Sequence, residues 1–183
     1  MRGQTTKDIL AASFLALAEK KQIDKITIAN ITQNCGRSQP TFYNHFRDKY
    51  DLIVWIYVRE AEKIFARLGE EESDWKTMLP KFAAYFIENR GFVINALKHT
   101  TGQDAFLSQV ERVHVSILAN VVRKRRGEGT LPPELLGIIK VYCYGTVRLL
   151  FEWLVESNLA ADTWVKVWED SLPEILRPYL EKA

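Results

Sequence analysis

The 183-residue chain is poor in the residues that metal and redox chemistry draw on. It has two cysteines, Cys35 and Cys143, far apart and without C-x-x-C spacing, so neither a zinc site nor a disulfide framework is expected. Its three histidines stand at positions 45, 99 and 114, and no H-x-x-x-H, G-x-S-x-G or phosphate-loop pattern accompanies them. The isolated Gly127-x-Gly129 follows a helical pattern, not a strand. No enzyme, metal or cofactor is therefore expected. Strict apolar–polar alternation with β-branched enrichment is also missing, which leaves no candidate sheet. Met1 to Thr6 lacks the apolar stretch of a signal peptide. No run reads as a membrane span, and a cytoplasmic location is expected.

What is there is helix and a charge gradient. Hydrophobic residues make up 47% and charged residues 26%, a balance that supports a well-packed globule. Residues 1–50 hold eight Lys/Arg against four Asp/Glu, so the basic excess lies at the N-terminal end, as suits contact with phosphates. An opening helix over about Thr6 to Lys21 carries Leu10, Phe14 and Leu17, with Ile23 and Ile26 after it. Thr27 is a favoured N-cap for a short helix over Ile28–Asn34, and Gly36 supplies the positive φ of a tight turn. Ser38 then caps a second helix with Pro40 in its first turn. Phe42 and Phe46, four apart, face one side, while Gln39, Pro40, Thr41, Tyr43, Asn44 and His45 lie on or beside the other. Two short helices across a glycine turn make a helix-turn-helix, whose second helix enters the DNA major groove. Asp48 is a plausible cap for the long helix that follows, and Lys49 stands at its start, where free N–H groups favour a phosphate.

The run Thr27-Ile28-Ala29-Asn30-Ile31, then Cys35 through Leu52, resembles the N-terminal domain of tetracycline-repressor-type (TetR/AcrR) transcriptional regulators. Thr27, Gly36, Thr41, Tyr43, Phe46 and Lys49 match without gaps, and the likeness is strong over about residues 5 to 55. Arg37 departs from it, standing where the family usually has an apolar residue; it can snorkel to the surface or to a phosphate. The resemblance implies an all-α protein: a three-helix helix-turn-helix domain over residues 1–48, and a larger helical domain for effector and dimer over 49–183. It implies binding to double-stranded DNA at a palindromic operator. Gln39 is suited to adenine, and Pro40 and Thr41 to a thymine methyl or base edge. Tyr43, Asn44 and His45 reach bases or backbone. Thr27, Arg47 and Lys49 hold phosphates, and Ser38 opens the reading helix.

Beyond Leu52 the pattern is helical nearly throughout. Gly69-Glu70-Glu71-Glu72 should end the linking helix, with Ser73 or Asp74 capping the next; Pro80 marks a kink or a later start. A short helix over Phe92 to Leu97, a loop at His99 to Gly102, and a helix over Asp104 to Arg126 follow. Arg123-Lys124-Arg125-Arg126 closes that helix, where cations complement the dipole. Residues Glu134 to Ser157 form a helix apolar on most sides, with one polar stripe of Lys140, Tyr144, Arg148 and Glu152. The final helix repeats Trp164, Trp168, Leu172, Ile175 and Tyr179. So much apolar surface on the last two helices exceeds one domain's needs and suggests a homodimer through a four-helix bundle. The resemblance points independently to the same two helices. It also implies an effector pocket, for which Trp75, Phe82, Phe86, Phe92, Phe106, His114, Tyr142 and Trp153 are candidate lining residues, although aromatics at helical spacing more often serve as plain core. The expected function is a repressor released by a small molecule; the alternatives are a regulator, even an activator, controlled by a protein partner, and a helical interaction module that binds no DNA.

Overall fold

The computed structural model describes residues 5–65, 75–100, 106–127, 129–156 and 160–181. Within them the chain is helical and contains no strand, as expected. The helices are α1 (Thr6–Ala18), α2 (Ile28–Asn34), α3 (Gln39–Tyr43), α4 (Lys49–Phe65), α5 (Trp75–Glu88), α6 (Arg90–His99), α7 (Phe106–Arg126), α8 (Pro133–Glu156), α9 (Ala161–Asp170) and α10 (Arg177–Leu180). The expected stop at Gly69 to Glu72, the caps at Ser73 or Asp74, Thr101 and Gly102 of the loop, Asp104, and Ser157 lie outside the described residues.

Two compact units form: Met1–Arg59 with Arg90–Ser108, and Glu60–Asn89 with Gln109–Ala183. The first surrounds a core of Leu10, Phe14, Ile23, Ile26, Ile31, Phe42 and Leu52, each fully buried. The Phe14 ring meets Phe92 edge-on at 6.4 Å, and Tyr57 meets Phe106 at 5.8 Å. α1 opens on a capping box in which Thr5 Oγ1 accepts from the Asp8 amide while Asp8 accepts from the Thr5 amide. Asp8 is also paired with Arg59 of α4, and that guanidinium lies over the Trp55 ring. The hydrogen bonds from Thr5, and then Arg59, hold the Asp8 carboxyl below the usual range.

The second unit is built on α5, α8 and α9, with α7 alongside. α5 runs from Trp75 through Pro80, which lies on an exposed side, so the helix does not start later. The end of the chain differs from the expected single helix. α9 stops at Asp170, a turn carries Pro173, and a 3-10 turn at Glu174–Leu176 leads into α10. Pro173 has no N–H to continue the ladder, and it disfavours helical backbone at Leu172. The break moves the buried register: Leu172, Leu176 and Leu180 are inside, while Ile175 is 52% exposed.

Candidate nucleic-acid interface

The helix-turn-helix forms from local signals. Thr27 Oγ1 accepts from the Asn30 amide at 3.1 Å, and Asn30 Oδ1 accepts from the Thr27 amide at 3.1 Å, a reciprocal cap that fixes the start of α2. Gly36 takes φ +64°, which lets the chain reverse; the Arg37 amide then donates to the Thr32 carbonyl at 2.8 Å. Ser38 Oγ accepts from the Thr41 amide at 3.2 Å and lies 2.8 Å from the Thr41 hydroxyl, so α3 begins at Gln39. Helical geometry ends at Tyr43; Asn44 closes it, and the His45 and Phe46 amides both return to the Phe42 carbonyl.

This geometry separates two faces. Phe42 and Phe46 are buried, with their rings 5.7 Å apart, and Phe46 meets Trp55 of α4. Arg37, Ser38, Gln39, Pro40, Asn44 and His45 are exposed, Thr41 is half-buried, and Tyr43 is 56% exposed although its ring edge touches Phe42. A large ring left in water beside exposed amide, pyrrolidine and imidazole groups is a surface that can fit a groove. Thr27 is exposed at the start of α2. The expected DNA-facing residues from Thr27 to His45 are thus brought to the outside of one motif.

Lys49 is placed differently. Its ammonium does not project from the start of α4 but donates to the carbonyls of Ile23 at 2.8 Å, Asp24 at 2.9 Å and Ile26 at 2.9 Å. Burial lowers its pKa from the ordinary lysine value. All the donors of the ammonium are spent inside the protein, because the segment joining α1 to α2 turns three carbonyls toward the beginning of α4. Asp48 does cap α4, accepting from the amides of Tyr50 at 2.9 Å and Asp51 at 2.8 Å. Burial opposes its ionisation, but these bonds and the neighbouring Arg47 outweigh burial and lower its pKa. Arg47 pairs with Asp48 at 3.0 Å.

Asn95 of α6 holds the same segment and was not singled out from the sequence. Its Oδ1 accepts from the Ile23 amide at 3.0 Å, and its Nδ2 donates to the carbonyls of Ala18 and Lys21 at 2.9 and 2.8 Å. A single asparagine between apolar residues carries no local mark of such a role, since its partners lie more than seventy residues earlier.

The candidate effector residues separate. Phe92 and Phe106 belong to the first unit, where their rings meet at 6.1 Å. Trp153 is only half-buried. Trp75, Phe82, Phe86, His114 and Tyr142 do cluster in the second unit, joined by Phe65 and by Trp168, which the sequence placed only on a helix stripe. Phe82 stacks on Trp168 at 5.2 Å and lies 4.8 Å from the His114 ring. The Tyr142 hydroxyl accepts from Trp75 Nε1 at 3.2 Å and donates to the Trp168 carbonyl at 2.8 Å. Burial raises the Tyr142 pKa and pushes the His114 imidazole down to about 3, so both are neutral. The void beside Trp75, His114, Tyr142 and Trp168 is about 10 Å³, near the lower limit for one water. Drug-sized ligands occupy roughly 300–1,000 Å³. The aromatics fill the space themselves.

A larger hollow lies elsewhere: an open groove of about 640 Å³ along α8, bordered by Gly137, Val141, Gly145 and Leu149 and, past α9, by Pro173. The described residues hold no group of three or more potential metal ligands, and no described helix is long and apolar enough to cross a membrane.

Comparison with known proteins follows the same lines. No family model matches the chain. The HTH-type dhaKLM operon transcriptional activator DhaS of Lactococcus lactis subsp. lactis (strain IL1403) is 31% identical over 90 residues, 48% of this chain and 46% of that protein. The chain therefore matches about half the length of this curated relative. Among solved structures, the dihydroxyacetone kinase operon activator DhaS superposes with a TM-score of 0.64 at 18% identity, over 98% of this chain and 100% of the other. A TetR transcriptional regulator from Rhodococcus sp. RHA1 gives 0.64 at 14% identity, over 95% and 97%. The chain has the TetR-type all-α fold. The proteins it resembles are named as transcription regulators, not as enzymes.

Proposed function

We propose that this chain is a sequence-specific DNA-binding transcriptional regulator that acts as a homodimer. The observation that carries this reading is the outer side of α3: Gln39, Pro40 and Tyr43 stand in solvent while Phe42 and Phe46 anchor the helix from behind. In the groove, Gln39 pairs with adenine, Pro40 and Thr41 meet a thymine methyl, and Tyr43, Asn44 and His45 reach bases or backbone. Arg37 and Thr27 approach phosphates, and Ser38 fixes the helix start. Lys49 serves the motif from inside by holding the segment before α2. Two copies about a two-fold axis would meet half-sites roughly 34–36 Å apart on a palindromic operator. In this reading residues 1–48 contact DNA, and 49–183 dimerise and receive the signal.

Two modes of control are open to such a chain. Release by a small molecule requires the cluster of Trp75, Phe82, Phe86, His114 and Tyr142 to open, because the void there is about 10 Å³. Control by a protein partner requires no cavity, and the filled core favours it. The relative is named as an activator, which supports activation rather than repression as the sign of control. The test is selection of bound genomic fragments, followed by gel-shift titration. Wild type should bind one palindromic class, and Gln39→Ala and Tyr43→Ala should lose that preference. Unchanged preference in both variants contradicts the assignment of α3.

A further inference from the structure

α3 is too short to hold its own direction. It has five residues, Gln39–Tyr43, and a helix of that length is marginal without support from outside. Phe42, fully buried, fixes one point of it. A direction needs a second point, and Phe46 supplies it. Its amide returns to the Phe42 carbonyl at 3.0 Å, its side chain is 3% exposed, and its ring meets Trp55 of α4 at 5.7 Å. A cation from α1 borders that second point. Lys7 Nζ lies 5.2 Å from the centre of the Phe46 ring and 5.7 Å from that of Trp55. Lys7 and Trp55 are both half-buried.

Lys7 stands beside a carboxylate that does not neutralise it. Asp8 is taken by the amide and hydroxyl of Thr5 and by Arg59. Among the described residues the Lys7 ammonium meets the two rings and no carboxylate. Attraction between a cation and an aromatic face strengthens as water is removed, and this site is half-closed to water. Consecutive residues in the first turn of α1 thus reach two other elements: Asp8 holds Arg59 of α4, and Lys7 holds the ring that ends the reading segment.

We infer that Lys7 is a positioning residue for DNA reading, which sets the direction of α3 by keeping Phe46 against Trp55. This rests on the reading by α3 proposed above and names what aims it. Tyr43, Asn44 and His45 immediately precede Phe46, so a shift of that ring turns the outer face with it. Recognition contacts tolerate misplacement of only about 0.5 Å and 10–20°. Attraction to phosphates is sequence-independent and does not need that precision. Loss of the Lys7 charge therefore lowers discrimination between sequences more than affinity for DNA at large. A phosphate contact by Lys7 would give the opposite split.

The test uses the full chain with the palindrome recovered by genomic selection and a scrambled duplex of equal length. Lys7→Met keeps an unbranched apolar stem whose sulfur packs on aromatic rings, and Lys7→Arg keeps the cation. Lys7→Met should lower the ratio of palindrome to scrambled affinity about five- to tenfold and leave the salt slope on scrambled DNA unchanged. Lys7→Arg should return the ratio to within about twofold of wild type. With 5-fluorotryptophan incorporated, the Trp55 fluorine resonance, assigned by its absence in Trp55→Phe, should move in Lys7→Met and stay near its wild-type position in Lys7→Arg. Equal weakening on both duplexes in Lys7→Met, with the salt slope lowered by about 0.9, makes Lys7 a phosphate ligand and overturns the proposal. An unchanged ratio in Lys7→Met, an unmoved Trp55 resonance, or a Lys7→Arg that behaves as Lys7→Met also overturns it. In each of these cases a wild type that prefers the palindrome leaves the reading by α3 standing. A wild type with no preference overturns both.

Discussion

The ammonium of Lys49 donates to the carbonyl of Ile23, 26 residues earlier, at 2.8 Å, and shares its other protons with Asp24 and Ile26. A cation at a helix start invites a phosphate role, yet here it fastens the segment that precedes α2. The two roles predict different measurements. Lys49→Met should lower the urea unfolding free energy by about 2 kcal/mol, since bonds to a charged donor are lost and carbonyls are stranded. The salt dependence of DNA affinity should keep its slope. A phosphate ligand would instead lower that slope by about 0.9 with little effect on stability.

Asn95 secures the same segment from the other side. Asn95→Leu leaves the Ile23 amide, in a fully buried residue, without its acceptor. Unfolding free energy should fall by about 1–3 kcal/mol. Asn95→Asp keeps the acceptor for Ile23 but loses both donors, and should fall between wild type and Leu. Amide exchange at Ile23 reads this directly: protection should be lost in Leu and retained in part in Asp.

His114 makes stability depend on pH. Burial holds its folded pKa at about 3, well below the unfolded value near 6.5. Between those values the unfolded chain binds a proton that the folded chain refuses. Its contribution is therefore full above pH 6.5 and is lost as pH falls. At pH 5 the loss is roughly 2 kcal/mol. Thermal melts at pH 7 and 5 should show this drop in wild type and a much smaller one in His114→Leu.

Tyr43 separates function from folding. Its ring is 56% exposed and touches the edge of Phe42. Tyr43→Ala should cost below about 1 kcal/mol of stability. It should weaken binding to the selected operator by about 1–3 kcal/mol, with little change on scrambled DNA. Chemical denaturation and a paired DNA titration check both halves.

What could be read from sequence was local. The caps at Thr27 and Ser38, the glycine turn at Gly36 and the Phe42/Phe46 anchor involve residues within a few positions of one another, so spacing alone encodes them. The role of Lys49 was not readable, because its acceptors are main-chain carbonyls and any sequence supplies those. Asn95 was hidden for the same reason. The last helix looked continuous because Trp164, Trp168, Leu172, Ile175 and Tyr179 keep a helical period; Pro173 breaks that period, and the burial of Leu176 in place of Ile175 follows. Aromatic content announced a cluster around Phe82, but only side-chain packing could tell a filled core from a pocket. The groove along α8 was half legible: the polar stripe of that helix was plain, whereas Gly137, Val141 and Gly145 are seen to border an opening only once the neighbouring packing is known.

The central claim is that α3 reads DNA sequence. The most direct measurement is fluorescence anisotropy, at one fixed salt concentration, with the palindrome recovered by genomic selection and a scrambled duplex of equal length and composition. The account predicts binding to the palindrome at least about a thousandfold tighter, as specific binders show, with most of that ratio lost in Gln39→Ala combined with Tyr43→Ala. Equal affinity for the two duplexes in wild type, or a ratio untouched by the double substitution, would contradict it.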